Sequence, residues 1–186
     1  MTYRAPVADM IAAMRSAAGL DRDLAAGLHP DLSLDDVESV LGEAARFAGD
    51  VVAPLNRVGD GAGTPLVDGR VTMPPGYREA YAAWIAGGWN ALPGPVEYGG
   101  QGLPALVSVA CNEMWNGAAM AFGLGPLLTL GAVEAVDKHG SAELKERYLA
   151  KLVSGEWMGT MNLTEPQAGS DLAALTSRAV PAGDGT

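Results

Sequence analysis

Apolar positions recur at three- and four-residue steps along most of this chain and only rarely alternate. Val37, Val40, Leu41, Ala44, Phe47, Ala48, Val51, Val52 and Leu55 fall on one stripe, which predicts an amphipathic helix of several turns beginning at Ser33. The Ser33 hydroxyl is placed to cap the backbone N–H of Asp36. Asp35, Asp36 and Glu38 suit the positive end of that helix's dipole. A shorter helix is expected over residues 6–18, with Met10, Ile11 and Met14 inward. Asp68-Gly69 between the β-formers Leu66-Val67 and Arg70-Val71 predicts a small hairpin. The next helix, over residues 76–86, is ended by Gly87 and Gly88. "ALPGPVEYGGQGLP", residues 91–104, is too broken by glycine and proline to be regular. Within it Glu97 and Tyr98 shape a tight turn, and Gly99, Gly100 and Gly102 are expected to supply unusual backbone angles.

Downstream the pattern predicts two helices, over residues 104–122 and 126–139. Pro104 sits in the first turn of one, and Gly140 at the C-cap of the other. Ser141 opens a third, which closes at Gly155. Residues 158–163 have the composition of a first strand. The fold class expected is therefore mainly α: an all-α domain over residues 1–156, and the start of a β-domain over residues 157–186.

Composition sharpens this picture. The 186 residues are 48% hydrophobic and carry a formal net charge of −10. That allows one good core and argues against nucleic acid or an anionic membrane as the main partner. It leaves room for an anionic small molecule, because a local ring of backbone N–H groups binds phosphate whatever the global charge. Cys111 is the single cysteine, so no internal disulfide framework exists and a reducing, cytoplasmic setting is expected. It lies on an apolar helix face and reads as core packing. The apolar stretch over residues 118–136 is interrupted by Gly123, Gly125, Pro126 and Gly131 and carries Glu134, which fits a buried helix pair better than a membrane span. The N-terminus lacks the basic-then-apolar pattern of a signal peptide. His29 and His139 are isolated, so no metal site is expected, and His139 reads as a helix C-terminal cap. "KERYLAK" reads as a solvated helix face with internal charge pairs.

The chemistry concentrates in "MNLTEPQAGSD", residues 161–171. Thr164 places a hydroxyl at the end of an apolar run, and Pro166 fixes the exit direction. Ala168 and Gly169 let a ligand approach the main chain closely. Ser170 and Asp171 add a hydroxyl and a carboxylate. Two readings stand side by side: a Ser or Asp helix cap after an ordinary turn, or free donors arranged for a phosphate or polar heterocycle.

"LTEPQAGSDL" resembles the signature of the acyl-CoA dehydrogenase family. "PVEYGGQGLP" and "KHGSAELKERYLAKLVSGEW" resemble two further family segments in matching order and spacing. The long N-terminal helix and the "DGRVTMPPGYREAYAAWIAGGW" insert are similar to a longer bacterial subgroup that includes 3-methylmercaptopropionyl-CoA dehydrogenases. The resemblance implies FAD as cofactor and an acyl-CoA thioester as substrate. Met161, Asn162 and Leu163 would lie along the flavin ring, and Thr164 would bond it. Gly169 would reach the pyrophosphate. Ser170 would do so too and would also meet the CoA portion of the substrate. Trp157, beside this strand, is a candidate for lining the cofactor region. Trp84, Trp89 and Trp115 read as core. Glu165 is expected to hold the turn by accepting backbone hydrogen bonds and to take no catalytic part.

The reaction so implied is α,β-dehydrogenation to the 2-enoyl-CoA. Electrons would pass to an acceptor such as an electron-transfer flavoprotein, in a protein that is a homo-oligomer at full length. The family's glutamate base belongs to a C-terminal helical domain, and a second flavin strand follows after Gly185. Neither has a counterpart here, so no catalytic residue is assigned. The chain is expected to be an N-terminal piece that is inactive alone. Two alternatives stand: a non-catalytic helical module that binds an acyl thioester or another subunit, and an acyl-CoA oxidase or nitroalkane-type flavoenzyme. Gly123 and Gly125 are expected to wall the acyl pocket.

Overall fold

The computed structural model describes residues 3–183. Within them the chain forms α1 (Val7–Ser16), α2 (Leu20–Ala25), α3 (Leu34–Phe47), α4 (Ala53–Ala62), α5 (Tyr77–Ala86), α6 (Ala105–His139) and α7 (Ala142–Ser154). Between α4 and α5 an antiparallel hairpin pairs β1 (Leu66–Val67) with β2 (Arg70–Val71), and Asp68 and Gly69 supply the positive φ angles its turn demands. The fold is mainly α. The long α6 runs through the middle, packed by α3 and α4 on its N-terminal part and by α7 near its end.

The capping chemistry acts as the sequence predicts. Ser33 accepts from the Asp36 N–H, and the Asp36 carboxylate accepts from Ser33 in return, closing a capping box. Ser141 accepts from the Leu144 N–H at 3.3 Å, and Gly155 ends α7 in the left-handed region at φ 80°. The apolar stripe is buried at Val37, Leu41, Ala44, Ala48, Val52 and Leu55. Between α3 and α4 the helix widens into a π-turn, Ala48–Val52. Pro54 follows it after one residue, Ala53. Its backbone nitrogen has no hydrogen to donate to the Asp50 carbonyl and its ring crowds that carbonyl, and a five-residue spacing relieves both problems.

Two local expectations differ from the structure, and one element was missed. The two helices over residues 104–122 and 126–139 are one run, α6, and its break in helical angles falls at Ala119 (φ −156°, ψ 95°). Gly123, Gly125 and Pro126 stay helical because tertiary packing outweighs the roughly 1 kcal/mol that a helical glycine costs. The short α2 was not legible. The strand expected over residues 158–163 carries no pairing, since a strand needs a hydrogen-bonded neighbour and none runs beside it among the described residues. The last three residues of the expected β-domain start, 184–186, lie outside the described residues. By length and composition α6 could cross a membrane, with a mean hydropathy of 1.6 in its most apolar window. In the fold it is the central packing helix.

The irregular loop over residues 91–104 is held by its own backbone. The Gln101 N–H donates to the Ala91 carbonyl at 2.8 Å, that of Gly102 to Gly94 at 3.0 Å and that of Leu103 to Leu92 at 2.8 Å. Gly99 and Gly102 take positive φ, as expected. Gly100 does not, and serves by size alone: a Cβ there would overlap the Gly94 backbone.

Candidate functional site

The C-terminal end of α7 is tied down before the candidate segment begins. Asn90, 3% exposed, donates its amide to the carbonyls of Leu152 at 2.7 Å and Val153 at 3.2 Å. Its own oxygen accepts from Trp84 Nε1 at 3.4 Å. The Tyr81 hydroxyl donates to the Gly155 carbonyl at 3.0 Å. These bonds satisfy carbonyls that a helix end leaves open and fix the direction in which the chain departs.

The departing chain is then clipped to α6. Thr129, wholly buried, donates its hydroxyl to the Gly125 carbonyl at 3.2 Å and accepts from the Gly159 N–H at 3.2 Å. Gly159 permits this contact, because a Cβ there would lie 2.5 Å from the Ala132 methyl. Trp157, just before the segment, packs on the α7 side and is 39% exposed. Its ring packs against Tyr148 with centroids 5.9 Å apart and lies 4.3 Å from Lys151 Nζ, so it serves the α7 face.

Met161, Asn162, Leu163 and Thr164 follow on one exposed stretch, with Met161 60% exposed. The chain then turns. Glu165 and Ala168 exchange both backbone hydrogen bonds at 3.0 Å, which closes the Thr-Glu-Pro corner and buries Ala168. Gly169 and Ser170 are exposed beyond it. A Cβ at Gly169 would meet only Thr164 Cγ2, at 4.0 Å, so the main chain there is open to a ligand. Asp171 accepts from the Ala173 N–H at 3.1 Å and caps a short 3₁₀ turn. The capping reading therefore holds for Asp171. Among the described residues no hydrogen bond engages the side chains of Asn162, Thr164 or Ser170.

Glu165 takes the structural part expected of it. Its carboxylate accepts from the Thr176 N–H and hydroxyl at 3.0 Å each, from the Ser177 N–H at 2.9 Å, and from the Gln167 amide. These bonds, those from Ser177 first and then the Thr176 backbone, bring its carboxyl from 4.5 down to about 2. The folded pKa lies below the unfolded one, so the stabilisation is complete above about 4.5 and is lost as pH falls toward about 2. Acid titration should release the Thr176 and Ser177 amides together in that window, seen as loss of hydrogen-exchange protection, while Glu165→Gln should abolish the pH step.

Beside this segment lies a cavity of about 520 Å³ between α5 and α6, walled by Met73, Tyr77, Tyr81, Phe122, Gly125 and Met158 among others. Gly125 lines it and Gly123 does not: a Cβ on Gly123 would meet the Asn116 side chain. Cys111 is buried and its thiol is pushed up to about 12 by desolvation, which makes it an inert core residue. Trp84 and Trp115 are core, and Trp89 packs against Trp115 and Phe47. His139 lies in the last turn of α6. No group of three or more His, Cys, Asp or Glu side chains is placed to hold a metal among the described residues.

Residues 35–156 match the family model for the acyl-CoA dehydrogenase N-terminal domain. The chain belongs to the acyl-CoA dehydrogenase family. The match ends before the 161–171 segment, but similarity to a 3-methylmercaptopropionyl-CoA dehydrogenase of Ruegeria pomeroyi extends across it. That relative is 47% identical over 186 residues, which is 100% of this chain and 32% of the relative. Among solved structures, a chain from work on the electron-transferring flavoprotein of Acidaminococcus fermentans aligns with a TM-score of 0.66 and 27% identity, covering 83% of this chain and 38% of that one. The FAD complex of PigA aligns with a TM-score of 0.66 and 26% identity, over the same shares. The chain spans about a third of the length of these relatives.

Within this acyl-CoA dehydrogenase domain, sequence reasoning missed Asn90, Tyr81 and Thr129. Each acts on a partner at least thirty positions away, and none stands in a recurring local pattern. The residues present fit a flavin nucleotide: a locked corner, an open glycine and unengaged hydroxyls on either side of it supply the donors that a heterocycle and a phosphate need.

Proposed function

We propose that this chain is the helical wall and cofactor edge of an FAD-dependent acyl-CoA dehydrogenase, which converts an acyl-CoA thioester to the 2-enoyl-CoA. Asn162, Leu163 and Thr164 face the flavin ring, with Met161 packed at its edge. Gly169 and Ser170 take the pyrophosphate, and Ser170 also meets the CoA moiety. Bound FAD supplies the acceptor for the hydride that leaves the β-carbon. The base that removes the α-proton comes from outside these residues, because Glu165 is held ionised by four donors and serves the corner. The product electrons go to an acceptor such as an electron-transfer flavoprotein. The complete protein is a cytoplasmic homo-oligomer.

The observation that carries this reading is the contrast at the corner. Glu165 is fully used in holding the loop and Asp171 caps its 3₁₀ turn, while Thr164 and Ser170 are left free on its exposed edge. The names of the relatives support the same substrate and cofactor classes. The test is flavin binding by the full-length protein, followed by fluorescence quenching of FAD. Thr164→Ala and Ser170→Ala should each weaken FAD binding about tenfold, the worth of one hydrogen bond to a charged or strongly polar group. A protein that stays colourless at saturating FAD overturns the proposal and favours a non-catalytic helical module.

A further inference from the structure

We propose that Thr129 is a positioning residue for the cofactor: its hydroxyl, gripping the Gly159 N–H, sets where the flavin edge stands over α6. The inference rests on the FAD reading above and adds the residue pair on which cofactor alignment depends.

Hydrogen bonding divides the chain after α7 into a tied part and a bare part. Residues 155–159 are tied to the helices. The Gly155 carbonyl accepts from Tyr81, the Trp157 N–H donates to the Lys151 carbonyl at 3.0 Å, and the Gly159 N–H donates to Thr129. Residues 160–164 make no hydrogen bond among the described residues, and all five are exposed. Fully extended, such a span reaches about 17 Å. Beyond it, the bonds of Glu165, Gln167 and Asp171 all close within residues 165–177. They set the shape of the corner but not its place on the helical domain. Among the described residues, the Thr129–Gly159 bond is thus the last hydrogen bond between that domain and the cofactor edge.

Thr129 suits the task because both halves of its hydroxyl are used. Its proton goes to the Gly125 carbonyl one helical turn back, at 3.2 Å. That bond fixes the side-chain rotamer and leaves a lone pair for Gly159. Gly159 serves by closeness, not by an unusual angle, since its φ is not positive. A Cβ there would lie 2.5 Å from the Ala132 methyl and 3.3 Å from Thr129 Cα. Hydroxyl, glycine and the Ala132 methyl therefore meet as one fitted joint. Removing the hydroxyl or adding a Cβ lifts the chain off α6, and a shift of about 1 Å is enough to spoil a site built beyond it.

The test uses the full-length protein, with FAD affinity and the visible absorption band of bound flavin as readouts. Thr129→Val removes the hydroxyl at nearly constant volume. It should weaken FAD binding about tenfold, with a shifted band at saturating FAD. Thr129→Ser gives up a buried methyl and some stability but keeps the hydroxyl, so affinity and band should stay close to wild type. Gly159→Ala should reproduce the valine variant. Gly159→Ala combined with Ala132→Gly should restore affinity and band, because the methyl has only changed sides. This pair carries the test should Thr129→Val fail to fold, since its helical glycine lowers stability while affinity returns. A merely structural role gives another pattern, with affinity following stability across all the variants, and that overturns the inference. So does an unchanged affinity and band in Thr129→Val and Gly159→Ala, and the proposed function then stands. If the unmodified protein binds no FAD, both are overturned.

Discussion

Trp84→Ala is expected to destabilise this domain by about 3–5 kcal/mol, the cost of deleting a large buried aromatic and leaving part of its volume empty. Trp84 is 2% exposed and sits at the centre of the aromatic core. Its ring lies 4.2 Å from that of Trp115, 5.7 Å from Phe122 and 6.0 Å from Phe47, with tilted or edge-on geometry throughout. These arrangements add to the area that each ring removes from water. The loss cannot be healed by small shifts, because α3, α5 and α6 each contribute a ring to the same contact and every ring has other partners. Deleting the indole also leaves the buried Asn90 oxygen without its donor. Urea unfolding checks this. The midpoint should fall with little change in slope, while Trp157→Ala, at a site 39% exposed, should cost under about 1 kcal/mol. Near-equal losses for the two variants would refute the assignment of Trp84 to the core.

Most of this architecture is legible in the sequence, because it is written in local signals. Ser33, Ser141 and Gly155 cap helices where their chemistry requires, and Asp68-Gly69 makes the turn. The acyl-CoA dehydrogenase segment is legible for a related reason: its candidate cofactor residues are contiguous, so one short stretch carries them all. What escapes is whatever depends on distant partners. The glycines and the proline of α6 read as a break, yet burial keeps them helical and the distortion falls at Ala119. Gly100 reads as a residue of unusual angle and proves to be one of close approach, against Gly94. The 158–163 run has strand composition, but a strand is a property of two segments and only one is described here. Thr129 reads as one more small residue on an apolar helix. Its role appears only when Gly159, thirty positions on, comes within 3.2 Å.

Asn90→Leu and Asn90→Asp are the substitutions that test whether α7 is aimed by a buried polar clasp. Both keep the branch at Cγ, leucine adding some bulk and aspartate almost none, and both change the hydrogen-bond chemistry completely. Leucine removes the donor and strands the carbonyls of Leu152 and Val153 in a site that is 3% exposed, together with Trp84 Nε1. At about 1–3 kcal/mol for a buried group left unpaired, with some relief from water at the helix end, the expected loss is about 3 kcal/mol. Aspartate is worse at neutral pH, because it sets a carboxylate against two carbonyl oxygens and must either desolvate a charge or hold a proton. The order of stability should be wild type, then leucine, then aspartate. The clasp also directs residues 156–164, so the leucine variant should weaken FAD binding at a temperature where the domain is still folded. Equal stability of the leucine and wild-type proteins would mean that those two carbonyls find other donors, and that Tyr81 and Gly155 alone direct the chain toward the cofactor edge.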